Sequence, residues 1–403
     1  MKRHPRVCRI DSPEDAASLM RRAGVSESGV ELMTPKLGFH VFHLRELPHA
    51  MATILKQEAL AAGAEAAVHR GLVVRAVDAT DVVLGGTRRQ LERIAQKLRG
   101  QQFGLGALAD ELTGILAALD GVPVWHVRDR VLDLTRPLVM GVVNLTGDSF
   151  SGDGVGDDVG AALERCRAML AAGADILDLG AESSRPGALP VDVETETRRL
   201  VPVVRVLVAE TDAVVSVDTY RPETAAQALE AGAHIVNDVT GMRGLGGSGG
   251  TGRAVALFDA GVIIMHMRGT PRDMQRDPHY DDLGAEIHAF FAERLEAAAA
   301  DGVRLESIAL DPGIGFGKRL EDNLALLNHL EWFAGFGRPL VVGASRKSFI
   351  GALTGAEVGD RLSGTIAAHT AAILRGARVV RVHDVAEARQ AALVAAAVSG
   401  AGQ

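Results

Sequence analysis

Short apolar runs that end in a polar side chain recur through the second two-thirds of the sequence. Each run is apolar throughout, which is typical of parallel strands covered on both faces. Because Asp is also a common helix cap, a single run could be only a strand followed by a capped helix. Six runs together favour a barrel of parallel strands, which brings their polar ends to one rim and predicts a polar pocket there. The runs are 174–178 (ADILD), 213–218 (AVVSVD), 233–238 (AHIVND), 262–266 (VIIMH), 307–311 (SIALD) and 378–383 (RVVRVH).

Helical patterns alternate with strand patterns in this region. Pro222 stands where a helix would begin, and Gly173 and Gly232 stand where helices would end. Asp384, with Glu387 three residues later, indicates the start of the last helix. Eight strands within about 250 residues predict an α/β fold, the (β/α)8 TIM barrel. The strands are expected near 138–143, 174–179, 213–218, 233–237, 262–267, 307–311, 339–344 and 378–382.

Residues 1–125 follow a different pattern and predict a smaller α+β domain in front of the barrel domain at 126–403. Thr87 and Gln90 form a capping-box pattern at one helix start, and Gly63 is placed to end another helix. The role of this domain does not follow from its sequence. Its strands are expected at 38–44, 72–77 and 81–84 and its helices at 50–62, 87–98 and 106–119, and a hairpin at 124–135 is expected to close the barrel floor.

The composition is that of a globular enzyme, with 47% apolar and 23% charged residues. The net charge of -8 argues against general nucleic-acid binding. The N-terminus lacks an apolar core, and no run of about 18 apolar residues occurs, so neither secretion nor a membrane span is expected. Cys8 and Cys166 are the only cysteines, which indicates a reducing compartment, expected to be the cytoplasm. Cys166 lies on the apolar face of a helical pattern and is interpreted as a core thiol.

Two motifs could be mistaken for ligand sites. His40, His43 and His49 lack the cysteine or carboxylate frame of a metal site and are interpreted as surface or core histidines. The glycine-rich segment 313–318 does not have Walker spacing, and Arg319 stands where a nucleotide-binding loop requires Ser or Thr. The sequence therefore predicts no nucleotide-binding loop.

Eight sequence motifs, or phrases, occur in the same order as in a known family and extend over roughly residues 130–398. Together they are specific, and the sequence resembles dihydropteroate synthase of the pterin-binding family, with an N-terminal extension. The phrases are 140–151 (MGVVNLTGDSFS), 183–188 (SSRPGA), 217–223 (VDTYRPE), 234–241 (HIVNDVTG), 266–275 (HMRGTPRDMQ), 310–318 (LDPGIGFGK), 343–351 (GASRKSFIG) and 379–385 (VVRVHDV).

The resemblance implies a transferase of folate biosynthesis. It joins 6-hydroxymethyl-7,8-dihydropterin diphosphate to 4-aminobenzoate and gives 7,8-dihydropteroate and diphosphate. A pterin presents adjacent donors that suit a carboxylate, together with acceptors that suit an amide and a cation. The residues that match the pterin-binding positions are Asp218, Asn237, Asp311 and Lys347, with Met265 against the ring face and Asp238 as a cap or supporting neighbour.

The other half of the site is implied in the same way. Arg381 and His383 match the diphosphate-binding positions, directly before a helix start that adds backbone donors. Asn144 matches the residue that binds Mg²⁺ together with diphosphate oxygens and water. Lys347, Arg381, His383 and Asp218 are the expected catalytic residues, and Lys347 would also orient the amine. The aminobenzoate positions match Ser184, Arg185, Pro186, Phe316 and Ser345.

The sequence departs from the family pattern in the first loop. Gly147 replaces the usual proline, and 151–154 rearranges the usual Ser-Asp-Gly-Gly, which affects the expected closed form of this loop. Ser184 replaces the usual threonine and keeps the hydroxyl. The resemblance also implies a homodimer packed through barrel helices and a sulfonamide target, although sensitivity depends on the loops around Phe316 and Pro186.

Two other functions compete with the synthase. A methyltransferase that moves a methyl group from methyltetrahydrofolate to a corrinoid protein shares the pterin-binding barrel. It has no need of 345–347, or of Arg381 with His383. A non-catalytic pterin-binding module predicts loss of the anion site, and these residues are present.

Overall fold

The structure, a computed structural model, describes residues 8, 10, 12–146, 158–182, 191–245 and 250–400. The chain forms two compact units. One contains Met1–Gly121 with Gly335–Gly337 and Gly400–Gln403, and the other contains Val122–Ala334 and Arg338–Ser399.

The N-terminal unit combines an antiparallel sheet with helices. The strand order is β1-β3-β2, and β3 pairs with both neighbours in an antiparallel sense. Val82 and Leu84, two residues apart in β3, are buried with Leu55, Leu91 and Leu112 from the helices. The helices are α1 (Pro13–Arg22), α2 (Glu27–Met33), α3 (His49–Ala62), α4 (Arg88–Leu98) and α5 (Leu105–Asp120), and the strands are β1 (Phe39–Pro48), β2 (Glu65–Val68) and β3 (Ala79–Thr87).

Most local predictions for this unit are confirmed. The capping box forms, because the Thr87 backbone N–H donates to Gln90 Oε1 over 2.8 Å. Gly63 ends α3 in the left-handed region, with φ +74°. The strand predicted at 72–77 is wrong, because the chain turns there and Arg75 has φ +54°. The β-branched side chains Val73 and Val74, which suggested a strand, are exposed. The sequence patterns also missed α1, α2 and β2.

The three histidines of this unit have separate surroundings. His43 Nε2 lies 2.9 Å from Asp81 Oδ2, His49 Nε2 lies 2.8 Å from the Leu72 carbonyl oxygen, and the ring of His40 stacks near that of Phe42.

The second unit is an eight-stranded parallel barrel surrounded by helices. The α/β prediction is confirmed, with parallel pairing in the order β11-β10-β9-β8-β7-β6-β13-β12. A bridge between Leu310 and Leu340, and a 2.9 Å hydrogen bond from Leu310 N–H to the Pro339 carbonyl, join the two ends of this order. The strands are β4 (Trp125–Val127), β5 (Arg130–Leu132), β6 (Leu138–Asn144), β7 (Ile176–Gly180), β8 (Val214–Asp218), β9 (Ile235–Asp238), β10 (Gly261–Met265), β11 (Ile308–Asp311), β12 (Val341–Val342) and β13 (Val379–Val382).

The barrel helices begin and end largely where the sequence punctuation indicated. Pro222 is the first residue of α8, and Gly173 and Gly232 follow helix ends with positive φ. Cys166 is buried in α6 as expected of a core thiol, and burial raises its pKa to about 12. The helices are α6 (Val159–Ala171), α7 (Val193–Glu210), α8 (Pro222–Glu230), α9 (Gly252–Leu257), α10 (Leu283–Ala300), α11 (Leu320–Asn328), α12 (Ser348–Thr354), α13 (Leu362–Leu374) and α14 (Val385–Gly400).

The predicted hairpin closes the barrel floor. Strands β4 and β5 pair in an antiparallel sense, and Trp125 of β4 is fully buried. Its indole N–H donates to the Ser307 carbonyl oxygen over 3.0 Å. Around it lie the first inward side chains of the barrel strands, which form an apolar layer: Leu138, Met140, Ile176, Val214, Ile235, Ile263, Ala309, Val341 and Val379. Because one end of the barrel is closed by apolar packing, polar side chains farther along the strands face the other end.

Candidate active site

Polar side chains lie directly above the apolar floor. In β7, Ile176 belongs to the floor, and Asp178 lies two residues farther on, on the same face of the strand. The same step leads from Val214 to Ser216 and then to Asp218 in β8. The period of two therefore fixes which residues enter the barrel mouth. The corresponding positions on other strands are Asn237, Met265, Asp311 and Arg381.

The guanidinium of Arg381 lies between two carboxylates. Its Nε donates to Asp178 Oδ2 over 2.6 Å, and its Nη2 donates to Asp218 Oδ2 over 2.8 Å. Burial raises the pKa of the Asp218 carboxyl, even though the charge of Arg381 opposes this shift. Strand β13 thus places its guanidinium within hydrogen-bond distance of one carboxylate on β7 and one on β8.

Asn237 and Asp311 extend this cluster. Asn237 Nδ2 donates to Asp178 Oδ2 over 3.1 Å. Asp311 is buried, and its Oδ1 accepts from the Gly313 backbone N–H over 2.7 Å. Burial also raises the pKa of the Asp311 carboxyl, although the nearby charge of Lys347 opposes this shift. The pterin-position residues named from the sequence are therefore gathered in one region.

Lys347 caps the start of α12 and reaches across the mouth. Its ammonium donates to the Ile314 carbonyl and lies 4.5 Å from the centroid of the Phe316 ring. Burial lowers the pKa of Lys347 to about 8, although Asp311 favours its charged form. This lysine connects the carboxylate cluster to the loop that follows β11.

Glycines allow the loop after β11 to approach its neighbours closely. Gly313 has φ +69°, and a Cβ there would collide with the His266 carbonyl. Gly315 has φ +82°, and a Cβ there would lie 2.9 Å from Lys347 Cδ. Glycine is the residue that accepts both the positive φ and the lack of space.

An apolar surface lies beside the charged cluster. Met265 is buried with Val239, Met267 and Met274, and Phe316 packs against this group with Tyr220. Such a surface suits the face of a flat ring.

His383 and Ser345 form a pair at the ends of β13 and β12. His383 Nδ1 lies 2.9 Å from Ser345 Oγ, and the His383 backbone N–H donates to the same oxygen over 3.3 Å. Helix α14 begins two residues later, so its first backbone N–H groups face this region. The arrangement has the donors that an anion requires.

Asn144 ends β6 and is half-buried. Within the described ranges, no three His, Cys, Asp or Glu side chains are grouped as a metal cage. A single amide oxygen nevertheless fits Mg²⁺, because this ion keeps several waters and commonly takes its remaining ligands from substrate phosphates. Ser184, Arg185, Pro186 and Gly147 lie outside the described residues.

The sequence interpretation did not name Asp178 as a site residue, although it ends one of the recurring apolar runs. The available signal was its spacing from Ile176, which puts it inside the barrel. It also missed the buried contact of Lys318 with His266, whose Nζ and Nδ1 atoms are 3.0 Å apart. Lys318 Nζ also donates to the Phe316 carbonyl oxygen over 3.0 Å, which ties the glycine loop to the end of β10.

A third missed group is an ion-pair network beside Asp218. Arg221 donates to Glu182 Oε2 over 2.6 Å and to Glu196 Oε2 over 3.1 Å. It also donates to the Val191 carbonyl oxygen over 2.6 Å. The network joins Glu182, two residues after the end of β7, to Glu196 in the first turn of α7 and to Arg221, directly before α8.

Comparison with known proteins agrees with this geometry. The family described as pterin binding enzyme matches residues 140–383. A dihydropteroate synthase from Escherichia coli is 42% identical over 270 residues, which cover 67% of this chain and 94% of that protein. A bifunctional dihydropteroate synthase/dihydropteroate reductase from Helicobacter pylori is 37% identical over 379 residues, which cover 93% and 94%.

A solved structure of Xanthomonas albilineans dihydropteroate synthase, in complex with 7,8-dihydropteroate, is also similar. It matches with a TM-score of 0.61 and 43% identity, covering 69% of this chain and 99% of that one. No helix in the described part of the chain combines the length and apolar character that crossing a membrane requires. The family match covers more than half of the sequence, and the chain belongs to the family of pterin-binding enzymes that includes the dihydropteroate synthases.

Proposed function

We propose that this chain is a dihydropteroate synthase, a transferase that acts in folate biosynthesis. The observation that carries the proposal is the meeting of Arg381, Asp178, Asp218 and Asn237 in one barrel mouth, with Asp311 and Lys347 beside them. The relatives that share this barrel carry the same name.

The reaction transfers the pterin methylene carbon from oxygen to nitrogen. The C–O bond to diphosphate breaks, a C–N bond to 4-aminobenzoate forms, and the amine loses a proton. Departure of diphosphate leaves positive character on the methylene carbon, so the site must hold the leaving anion and exclude water. An arylamine loses its proton readily after it attacks such a carbon, and a strong general base is therefore not required.

The carboxylates and the amide recognise the pterin. Asp311 accepts from the adjacent N–H groups of the ring, Asn237 offers its carboxamide, and Asp218 lies on the neighbouring strand. Met265 lines the face of the ring. Lys347 donates toward the pterin carbonyl and orients the attacking amine.

The last strand recognises the leaving group. Arg381 and His383 bind the diphosphate oxygens, with support from the first N–H groups of α14. Asn144 would hold Mg²⁺, which neutralises charge on the diphosphate when bound. Because Arg381 also contacts Asp218, diphosphate and pterin recognition meet at one guanidinium.

The aminobenzoate lies on the other side of Lys347. Phe316 supplies an aromatic wall, and Ser345 donates to the carboxylate of the substrate. The family resemblance assigns Ser184, Arg185 and Pro186 to the same substrate. Sulfonamides share the arylamine of 4-aminobenzoate and are expected to compete for the same position.

The alternative functions explain fewer of these residues. A methyltetrahydrofolate–corrinoid protein methyltransferase uses the pterin side but releases no diphosphate, so Arg381 with His383 would have no ligand. A non-catalytic module would not need Lys347, the buried lysine beside Asp311, which is the carboxylate assigned to the pterin. We further propose a homodimer in the cytoplasm, with the barrel helices as the interface.

The direct test is to mix the purified chain with dihydropterin diphosphate, 4-aminobenzoate and Mg²⁺ and to measure the products by mass. Formation of dihydropteroate supports the proposal. Tight binding of the pterin without any product would favour the non-catalytic module. Methyl transfer from methyltetrahydrofolate to a corrinoid protein would favour the methyltransferase.

A further inference from the structure

Asp178 contacts both Arg381, which is assigned to diphosphate, and Asn237, which is assigned to the pterin. It is completely buried in β7, and its Oδ2 atom accepts from Arg381 Nε in β13 and from Asn237 Nδ2 in β9. One carboxylate oxygen thereby joins the residue assigned to diphosphate and the residue assigned to pterin.

A role in stability alone explains this carboxylate poorly. Its Oδ1 atom is buried and has no hydrogen-bond partner among the described residues, and the same is true of Ser216 Oγ at the paired position of β8. A buried ion pair with incomplete hydrogen bonding often stabilises a fold no better than an apolar side chain of similar volume. Stability alone therefore gives no reason for an ionic pair, rather than two apolar side chains, at this place in the barrel.

Orientation of its two partners explains it better. A carboxylate only accepts hydrogen bonds, so Asn237 must turn its Nδ2 toward Asp178, and its Oδ1 atom is then left for donors on a ligand. Arg381 uses Nε and Nη2 for Asp178 and Asp218, which directs the Nη1 end of its guanidinium elsewhere. Asp178 thus determines which atoms of both residues face a substrate.

Asp218 cannot replace Asp178 in this role. Asp218 contacts Arg381, but its side chain is partly exposed and is itself assigned to the substrate. Asp178 has no exposure through which a substrate would reach it.

We propose that Asp178 is a positioning residue that fixes Arg381 and Asn237 in the orientations that receive diphosphate and pterin. The inference rests on the proposed synthase function. One buried carboxylate would then orient the residue that binds the pterin ring and the residue that binds the diphosphate of the same substrate.

Asp178→Asn tests the proposal, because it keeps the shape of the side chain, removes its charge and lets the Asn237 amide adopt either orientation. We expect the KM for dihydropterin diphosphate to rise about tenfold or more, because this factor corresponds to the free energy of one charge-assisted hydrogen bond. The KM for 4-aminobenzoate should change by less than about twofold, because its contacts are elsewhere. Calorimetry should show weaker binding of both inorganic diphosphate and 6-hydroxymethylpterin.

Asp175→Asn is the matched control. Asp175 precedes the same strand and also accepts from two arginines, Arg136 over 2.7 Å and Arg389 over 3.2 Å, but at the floor end of the barrel. It should lower the unfolding temperature and leave both KM values unchanged. If Asp178→Asn does not fold, Asp178→Ser provides a smaller polar side chain that leaves room for water beside the Arg381 guanidinium.

The outcomes separate this inference from the proposed function. A wild-type chain that neither binds the two probes nor turns over would overturn the proposed function. A wild-type chain that does both, with a folded Asp178 variant that keeps wild-type affinity for either probe, would overturn the positioning role. Parallel loss of both affinities with an unchanged KM for 4-aminobenzoate would support it.

Discussion

The ammonium of Lys347 lies 4.5 Å from the centroid of the Phe316 ring. This contact joins the start of α12 to the loop after β11. Lys347 and Phe316 are both assigned to substrate binding in the proposed function. The aromatic ring stabilises a charged ammonium in a region where burial lowers the lysine pKa to about 8. In the proposed function, both side chains of this pair contact 4-aminobenzoate.

Lys347→Ala should reduce turnover by about a hundredfold or more, because it removes the donor assigned to the pterin carbonyl and to the orientation of the attacking amine. The unfolding temperature should change little, because the side chain contributes a costly buried charge. Steady-state kinetics and circular dichroism provide the measurement. Wild-type turnover in the folded variant would remove Lys347 from the mechanism, and Lys36→Ala, in the short 3-10 helix Thr34–Lys36 of the N-terminal unit, is the control.

Arg381→Ala should weaken diphosphate binding more than aminobenzoate binding, because the guanidinium belongs to the anion side of the site. The variant also leaves Asp178 buried without its cation, and a loss of about 3–5 kcal/mol of stability is expected. Calorimetric titration with inorganic diphosphate and with 4-aminobenzoate separates the two effects at a temperature where the variant is folded. Equal diphosphate affinity in both proteins would contradict the assignment.

Lys318 should give the stability of the chain a distinctive pH dependence. Burial lowers its folded-state pKa to about 7, below the unfolded value of about 10.4. Between these values the unfolded chain binds a proton that the folded chain has released, so the free energy of unfolding rises with pH, by at most about 1.4 kcal/mol per unit.

Lys318→Met removes this titration, and its pH–stability curve should be flatter than that of the wild type between pH 7 and about 10. Urea denaturation at several pH values provides the comparison. Curves that stay parallel across the window would show that Lys318 keeps an ordinary pKa in the folded chain.

Trp125→Ala should destabilise the barrel by about 3–5 kcal/mol, because the side chain is fully buried in the floor and loses a hydrogen bond to Ser307. The KM values should not change, because the floor is remote from the rim. Trp332 is the other tryptophan and is 37% exposed, so Trp332→Ala should cost less. Equal unfolding free energies for the two variants would contradict the role of the floor hairpin.

Deletion of residues 1–120 should leave measurable synthase activity. The Escherichia coli relative matches this chain over 94% of its own length through a 270-residue alignment that covers 67% of this chain. The compact unit that contains the barrel begins at Val122. A folded, inert product of this deletion would instead show that the N-terminal unit completes the active site.

The sequence predicts the barrel well because each strand repeats the same local signal. At β7, β8, β9 and β11, an apolar run, a polar residue at its end and a following helix start all predict a buried parallel strand. The error at 72–77 has the opposite cause, because Val73 and Val74 favour a strand locally whereas the chain around Arg75 turns. Propensity was the only signal there, and tertiary structure overrode it.

The missed site residues are those whose partners are distant in sequence. Asp178 and its partner Arg381 are 203 residues apart in the sequence, and Lys318 and its partner His266 are 52 residues apart. Spacing along one strand can place such a side chain inside the barrel, but the partner it finds depends on the closure of the whole sheet. The residues named through the family phrases did not need this information, because each phrase identifies its own position.

In the proposed function, the rim residues promote transfer of the pterin methylene carbon from diphosphate to an arylamine. The most direct measurement uses dihydropterin diphosphate with a heavy-oxygen label in the bridge between the methylene carbon and phosphorus, together with 4-aminobenzoate, Mg²⁺ and the purified chain. We expect unlabelled dihydropteroate and labelled diphosphate, because the C–O bond breaks. Absence of dihydropteroate, with the label retained on hydroxymethylpterin, would contradict it.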